Sequence, residues 1–154
     1  MKNAVKIIAI LIFAGFVVLQ FFRIDKSAPP IVPGETLEAA VSVPADISQI
    51  LTRSCNDCHT NATIYPWYSN VQPFGWFLKD HINEGRQKLN FSIFNTYTAQ
   101  KKAKRLDDIC DQAESKEMPL PSYLWIHRDA VLTDSDTKAL CDWAKQEREK
   151  ISVE

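Results

Sequence analysis

The residues with the clearest chemical capacity are Cys55, Cys58 and His59, which follow one another in the order Cys-Asn-Asp-Cys-His. This spacing is the attachment pattern of c-type haem, in which two thiols add to the two vinyl groups and the adjacent histidine binds the iron. The alternatives are a thioredoxin-like redox motif, a zinc site and a structural disulfide. The first lacks a βαβ setting, and the second lacks another closely spaced cysteine pair. The motif therefore predicts one covalent haem c per chain, with His59 as the proximal iron ligand.

A second axial ligand has to come from elsewhere in the chain, and three side chains qualify. Met118 lies between Glu117 and Pro119, in a proline-rich loop that favours extended backbone before Pro119. His81 lies on an apolar helical stripe, and His127 follows two apolar residues. A thioether ligand stabilises ferrous iron. The sequence favours Met118, with His81 as its rival, His127 as a weaker candidate and an open iron as the remaining alternative.

Two further cysteines, Cys110 and Cys141, belong to no metal or haem pattern. In an oxidising compartment two spare thiols suggest a disulfide, and two buried free cysteines are the alternative. A bridge between them would contribute about 3–4 kcal/mol in the loop-entropy description.

The elements that must position these residues are all predicted to be helical. We expect helices at about 46–56, from Pro73 onward, at 98–115 and from 133–136 onward, with a helical turn at 92–97. The acidic residue three positions after Thr133 should help to cap the last helix. Gly85 weakens the second of these helices. Its apolar stripe is predicted to comprise Phe74, Phe77, Leu78, His81, Ile82 and Leu89. The basic run Lys101, Lys102, Lys104 and Arg105 indicates a solvated helix face. The predicted fold class is all-α, a cytochrome c-like helical domain around one covalent haem.

An apolar segment precedes this domain. Residues 4–24 contain few polar side chains and, as a helix, would span about 31 Å, close to the roughly 30 Å core of a bilayer. We predict a membrane anchor or uncleaved signal at 1–26, a proline-rich linker at 27–45 and the haem-binding domain at 46–150. Lys2 and Lys6 favour a cytoplasmic N-terminus, which places the domain in the periplasm on a single-pass inner-membrane anchor. A cleaved signal peptide is the alternative.

The composition excludes several classes of function. Lys and Arg total 18 against 19 Asp and Glu, so no basic excess is present to neutralise nucleic-acid phosphates. The chain has only four glycines and no glycine-rich turn, so it lacks the usual signature of a nucleotide-binding fold that cradles phosphates. We therefore expect no nucleic acid among the partners.

Several stretches beyond the cysteine motif resemble the bacterial haem-binding domain family of small c-type cytochrome-like proteins. They are residues 54–59, 65–69, 84–86, 89–92 and 117–123, with His127 and 132–133. The resemblance implies a mono-haem helical domain exported to the periplasm. It also implies thioether links at Cys55 and Cys58, a proximal His59, and Met118 of the Met-Pro element as distal ligand. Cys110 and Cys141 are not part of the family pattern.

These features favour a membrane-tethered cytochrome that transfers electrons to redox partner proteins that the sequence does not identify. The alternative is a haem-based sensor or ligand-binding module with a displaceable sixth ligand. A peroxidase would need an arginine–histidine pair beside an open iron, which the sequence does not offer. We therefore expect no enzymatic activity.

Overall fold

A computed structural model describes residues 1–151 of the chain. Within that range every regular element is a helix and no strand occurs, which confirms the prediction of an all-α fold with an N-terminal apolar helix. The α-helices are α1 (Lys2–Leu19), α2 (Leu37–Ala40), α3 (Ala45–Ser54), α4 (Asn56–His59), α5 (Phe74–Lys88), α6 (Ala99–Glu114), α7 (Pro121–Leu124) and α8 (Asp134–Ile151). Short 3-10 turns lie at Pro33–Glu35, Trp67–Asn70, Phe91–Thr96 and Arg128–Ala130.

Helix α1 is the apolar segment predicted from the sequence. Its 18 residues have a mean hydropathy of 2.1, and none of them is buried against the rest of the described chain. At about 1.5 Å per residue the helix is about 27 Å long, shorter than predicted because it ends at Leu19. By length and composition it fits a membrane span or a signal sequence.

The core lies where α6 packs along α8, with α3 and the 3-10 turn Phe91–Thr96 completing it. Its largest buried side chains include Phe94, Leu106, Leu140 and Trp143. The sulfur atoms of Cys110 on α6 and Cys141 on α8 are bonded to each other. This bridge fastens together the two helices that dominate the core.

Helices α6 and α8 both start directly after a threonine that caps their first turn. Thr98 accepts a hydrogen bond from the Lys101 amide, which starts α6 close to the predicted position. At α8 the Asp136 amide donates to the Thr133 hydroxyl and the Thr133 amide donates back to the Asp136 carboxylate. This reciprocal pair is a capping box.

The segment predicted as a linker is more than a tether, because its second half belongs to the domain. Leu37 and Val41 are buried in the core, next to the Phe91–Thr96 turn. The Trp143 indole donates a hydrogen bond to the Ser42 carbonyl at 2.8 Å, and the Ser42 amide donates to Glu147 at 3.2 Å. Residues 37–42 of the predicted linker therefore pack on the helical core.

Helix α5 presents a different face from the one predicted. Leu78, Ile82 and Leu89 are buried, whereas Phe74 and Phe77 are exposed and His81 is only half-buried. The prediction was wrong for Phe74 and Phe77. Helical spacing shows which residues share a face, but it does not show how far along the helix that face is covered by other elements.

Candidate functional site

The cysteine–histidine motif forms a break followed by a single helical turn. Cys55 has non-helical backbone angles (φ −126°, ψ −40°) that end α3, so the predicted helix over 46–56 is split there. The amides of Cys58 and His59 then donate to the Cys55 carbonyl, which closes α4. Both thiols are free. The turn brings both sulfurs and the imidazole into one short element.

Gly85 allows α5 to pack directly against this turn. A Cβ atom at Gly85 would lie 2.9 Å from the Cys58 carbonyl oxygen, closer than real Cβ contacts allow. The glycine that weakens α5 as an isolated helix therefore permits the close approach that supports the motif.

The His59 ring has a fixed orientation and a fixed protonation pattern. Its Nδ1 lies 2.9 Å from the Leu89 carbonyl oxygen, which can only accept, so Nδ1 carries the proton and Nε2 keeps its lone pair. Burial lowers the pKa of His59, which keeps the imidazole neutral. A neutral ring with one nitrogen bonded to a carbonyl is the usual state of a histidine ligand.

The two motif thiols are protonated at neutral pH. Burial, followed by the neighbouring Cys58, raises the pKa of Cys55 to about 12. Burial, followed by Asp57, raises the pKa of Cys58 to about 11. A catalytic C-x-x-C motif has a lowered thiol pKa, so these values disfavour a thioredoxin-like role.

A cavity of about 340 Å³ opens beside the motif. This volume lies at the lower end of the range of roughly 300–1,000 Å³ typical of ligand and cofactor sites. The lining is mostly apolar and comprises Cys55, His59, Lys88, Leu89, Phe91, Arg105, Asp108, Ile109, Gln112, Ala113, Glu117, Met118, Pro119, Leu132 and Leu140. The imidazole of His59 and the thioether of Met118 thus line the same cavity.

Met118 reaches the cavity from the loop after α6. Lys116 adopts a left-handed conformation (φ 59°) directly after the helix, which reverses the chain. The Met118 amide then donates to the Gln112 carbonyl at 3.1 Å, so the loop folds back along the last turn of α6. The side chain is half-buried, next to a buried Pro119.

The other two histidines lie away from this cavity. His81 Nδ1 bonds to the Phe77 carbonyl of its own helix at 2.8 Å, and the two rings lie 4.2 Å apart. His127 stacks on the Tyr123 ring at 4.0 Å, and its Nε2 lies 2.9 Å from the Tyr68 hydroxyl. Neither of them lines the cavity that His59 and Met118 share.

A polar contact that sequence reasoning missed joins the motif to the Met118 side of the molecule. The Tyr123 hydroxyl donates to the Asp57 carboxylate at 2.8 Å, and the other oxygen of that carboxylate accepts from the Ile64 amide at 3.2 Å. Burial and the Asp57 carboxylate raise the pKa of Tyr123, so its hydroxyl stays a donor. Asp57 stands between the two motif cysteines, which was the available signal, but its partner is 66 residues away.

The position of Arg105 also differs from the one predicted from the sequence. It was assigned to a solvated face, yet it lines the cavity, and its Nη1 pairs with Asp108. Its Nε is buried without any hydrogen-bond partner. A cationic side chain with a free buried donor is suited to an anionic group of a ligand in this cavity.

These residues fit a haem. The cavity offers an imidazole nitrogen and a thioether sulfur as iron ligands, and the motif offers two unbonded thiols. Arg105 offers an unsatisfied donor for a carboxylate. The other two cysteines, Cys110 and Cys141, are bonded to each other, so they do not complete a zinc site with the motif thiols.

Comparison with known proteins gives one match. The model of a family described as a haem-binding domain matches residues 14–146 of the 154. No curated protein and no solved structure matches the chain significantly. Because the match covers well over half of the chain and includes every residue of the cavity, the chain belongs to the haem-binding domain family.

Proposed function

We propose that this protein is a mono-haem c-type cytochrome that transfers electrons. The observation that carries the proposal is the cavity that His59, Met118 and Cys55 line together, with the second free thiol, Cys58, directly before His59 in the C-x-x-C-H motif. In this proposal Cys55 and Cys58 form the thioethers by adding their S–H bonds across the two vinyl groups of the haem. His59 Nε2 and the Met118 sulfur would bind the iron.

The bound haem would supply an iron that gains or loses one electron. The chain holds His59 through the Leu89 carbonyl, so the ligand nitrogen needs no rearrangement between the two redox states. The Met118 thioether favours the ferrous state and raises the reduction potential. The mostly apolar lining would also disfavour the more highly charged ferric state. Arg105 supplies a positive charge for the haem carboxylates.

We further propose that α1 tethers this domain to the inner membrane, with the domain in the periplasm. The support is the apolar helix itself and the basic residues Lys2 and Lys6 in its first turns, which favour a cytoplasmic N-terminus. The tether would keep the haem close to membrane redox proteins and raise their effective concentration. Redox partner proteins are the expected partners, and no enzymatic activity is proposed.

A haem-based sensor is the second candidate function, and one observation favours it. Met118 lies in a loop that follows α6, between the exposed Glu117 and the buried Pro119. A ligand that displaced its sulfur from the iron would not have to open the α6–α8 core. The ferrous protein would then bind carbon monoxide rapidly, whereas a tightly six-coordinate cytochrome would bind it slowly or not at all.

The test is the Met118→Ala variant of the full chain, matured in a host that attaches c-type haem. We expect the variant to keep its covalent haem, because the thioethers are untouched. Its reduction potential should fall by more than about 59 mV, which is a tenfold change in a one-electron equilibrium. His81→Ala is the matched control and should leave the potential unchanged. An unchanged potential in Met118→Ala, or a fall in His81→Ala, contradicts the ligand assignment.

A further inference from the structure

The end of the apolar helix is fixed to the domain by a specific set of hydrogen bonds. The Gln20 side chain pairs with the backbone of Gln72: its Nε2 donates to the Gln72 carbonyl at 3.1 Å, and its Oε1 accepts from the Gln72 amide at 2.9 Å. Gln72 is fully buried. One side chain thus satisfies both backbone groups of a buried residue 52 positions away.

Two further contacts extend this junction. The Trp76 indole donates to the Phe22 carbonyl at 2.9 Å. The Lys26 ammonium donates to the Ser69 hydroxyl and to the Asn70 side chain, both at 2.8 Å. Residues 20–26 are therefore held along the Trp67–Asn70 turn and the start of α5, and they are not a free linker.

Large apolar side chains are exposed on the same two elements. Trp67 is 74% exposed, Phe74 60% and Phe77 56%, and Phe21 and Phe22 are exposed at the helix end. Phe74 and Phe77 stand three residues apart on α5 and so share one face. An exposed cluster of aromatic side chains is unusual on a soluble surface and marks an interaction site. We call Trp67, Phe74 and Phe77 the aromatic patch.

We propose that the aromatic patch rests in the interfacial layer of the bilayer that α1 spans, so that the haem domain is seated on the membrane in one orientation. This rests on the proposed function of α1 as a membrane anchor. The Trp76–Phe22 hydrogen bond places the first turns of α5 at the level of Phe22, three residues beyond the end of α1. That level is the headgroup boundary, where aromatic side chains are enriched.

The continuity of the patch with α1 is what assigns it to lipid. A partner protein or a second copy would have to approach the patch beside the end of the membrane helix, because residues 20–22 are hydrogen-bonded to residues 72–76. Lipid is already there if α1 spans the bilayer. The family match begins at residue 14, inside α1, so the junction segment lies within the matched domain rather than in a separate leader.

The test uses the full chain, loaded with haem, in phosphatidylcholine–phosphatidylglycerol vesicles that contain a diazirine lipid. Irradiation attaches lipid to the side chains that face it, and mass spectrometry maps the adducts. We expect adducts on α1 and on the peptides carrying the aromatic patch, and none on the exposed face of α8. Adducts on α1 without any on the aromatic patch would overturn the proposed contact between the patch and lipid, but not the proposed anchoring by α1. Adducts on neither overturn both.

A double variant tests the side chains themselves. Phe74→Ser with Phe77→Ser alters two exposed positions, so the core is not disturbed. We expect adducts at 67–77 to fall to the level of α8 while those on α1 persist. Val131→Ser, at another exposed apolar position, is the matched control and should leave the adduct pattern unchanged. Adducts at 67–77 that persist in the double variant at the level of the unsubstituted chain would show that lipid does not contact these side chains, and they would overturn the proposal.

Discussion

The two sides of the cavity hold the two proposed iron ligands, His59 and Met118, in different ways. His59 lies on α4, which packs on α5 at Gly85, and its ring is fixed by the Leu89 carbonyl. Met118 lies in a loop whose backbone is bonded to α6 through the Lys116 and Met118 amides, which donate to the Ala113 and Gln112 carbonyls. The proximal side is thus part of the packed structure, while the distal side is a surface loop held by polar contacts.

This difference indicates where function can be tuned. A ligand fixed by packing keeps its geometry when the iron changes its charge, which suits electron transfer. A ligand on a loop can be strengthened or weakened by changing the contacts of the loop, without cost to the core. One contact near the loop is the hydrogen bond that Tyr123, on the short helix after the loop, donates to Asp57. The bridge between Cys110 and Cys141 acts differently, because it stabilises the core helices from which the loop emerges.

The largest effect is expected from removing the proximal ligand. His59→Gly should abolish stable iron ligation and prevent maturation, because the attachment machinery requires the motif histidine. Haem staining after denaturing electrophoresis, compared with the unsubstituted chain, measures the loss. Supplying imidazole during maturation tests whether the missing ring is the cause. Normal covalent loading of the variant without imidazole would contradict the assignment.

The next largest effect concerns the scaffold of the distal side. Replacing Cys110 and Cys141 together by Ser should lower the free energy of unfolding by about 3–4 kcal/mol, because the bridge closes a chain segment with a separation of 31 residues. Denaturant unfolding without reductant measures this. Adding reductant should destabilise the unsubstituted chain by a similar amount and leave the variant unchanged. Alkylation of both thiols in the native unreduced protein would contradict the bridge.

A smaller effect is expected on the proximal side. Gly85→Ala introduces a Cβ atom 2.9 Å from the Cys58 carbonyl, so α4 and α5 must separate. We expect a loss of about 1–3 kcal/mol in the free energy of unfolding despite the better helix propensity of alanine. Gly34→Ala is the control, because nothing lies within 4 Å of its added Cβ. Equal stability of the two variants would show that α5 does not press on the motif.

The smallest effect is expected at the polar contact of the distal side. Tyr123→Phe removes the donor to Asp57 and should cost about 1–2 kcal/mol of stability. It should also speed the binding of carbon monoxide to the ferrous protein, because the Met118 side of the cavity is less firmly attached to the motif. Tyr65→Phe is the matched control, because it removes a buried tyrosine hydroxyl that has no hydrogen-bond partner. If both variants behave alike, the Asp57 contact does not restrain the distal ligand.

The sequence predicted those parts of the molecule that depend on neighbouring residues. The cysteine–histidine motif, the Thr133–Asp136 capping box and the bounds of α6 are local patterns. Met118 was favoured over His81 from the proline-rich loop, and the cavity is lined by Met118 and not by His81. Local spacing was sufficient wherever the physical cause lies within one turn of the chain.

The features that were missed all depend on contacts over long separations. Leu37 was assigned to a linker because the side chains that bury it lie elsewhere in the sequence. The partner of Asp57 is 66 residues away, and that of Gln20 is 52 away. Arg105 looks like its basic neighbours along α6, and only the packed structure distinguishes the one that faces the cavity. Composition and periodicity carry no information on such pairs.

The most direct test of the proposed cytochrome is an optical spectrum of the full chain after c-type maturation. It should be recorded in the native state and again after denaturation and acid–organic extraction of loose haem. The account predicts haem that stays with the protein, together with a ferric charge-transfer band of the Met118–iron bond. That band should disappear in Met118→Ala. Complete extraction of the haem would contradict covalent attachment at Cys55 and Cys58, and retained haem without the band would contradict Met118 as the ligand.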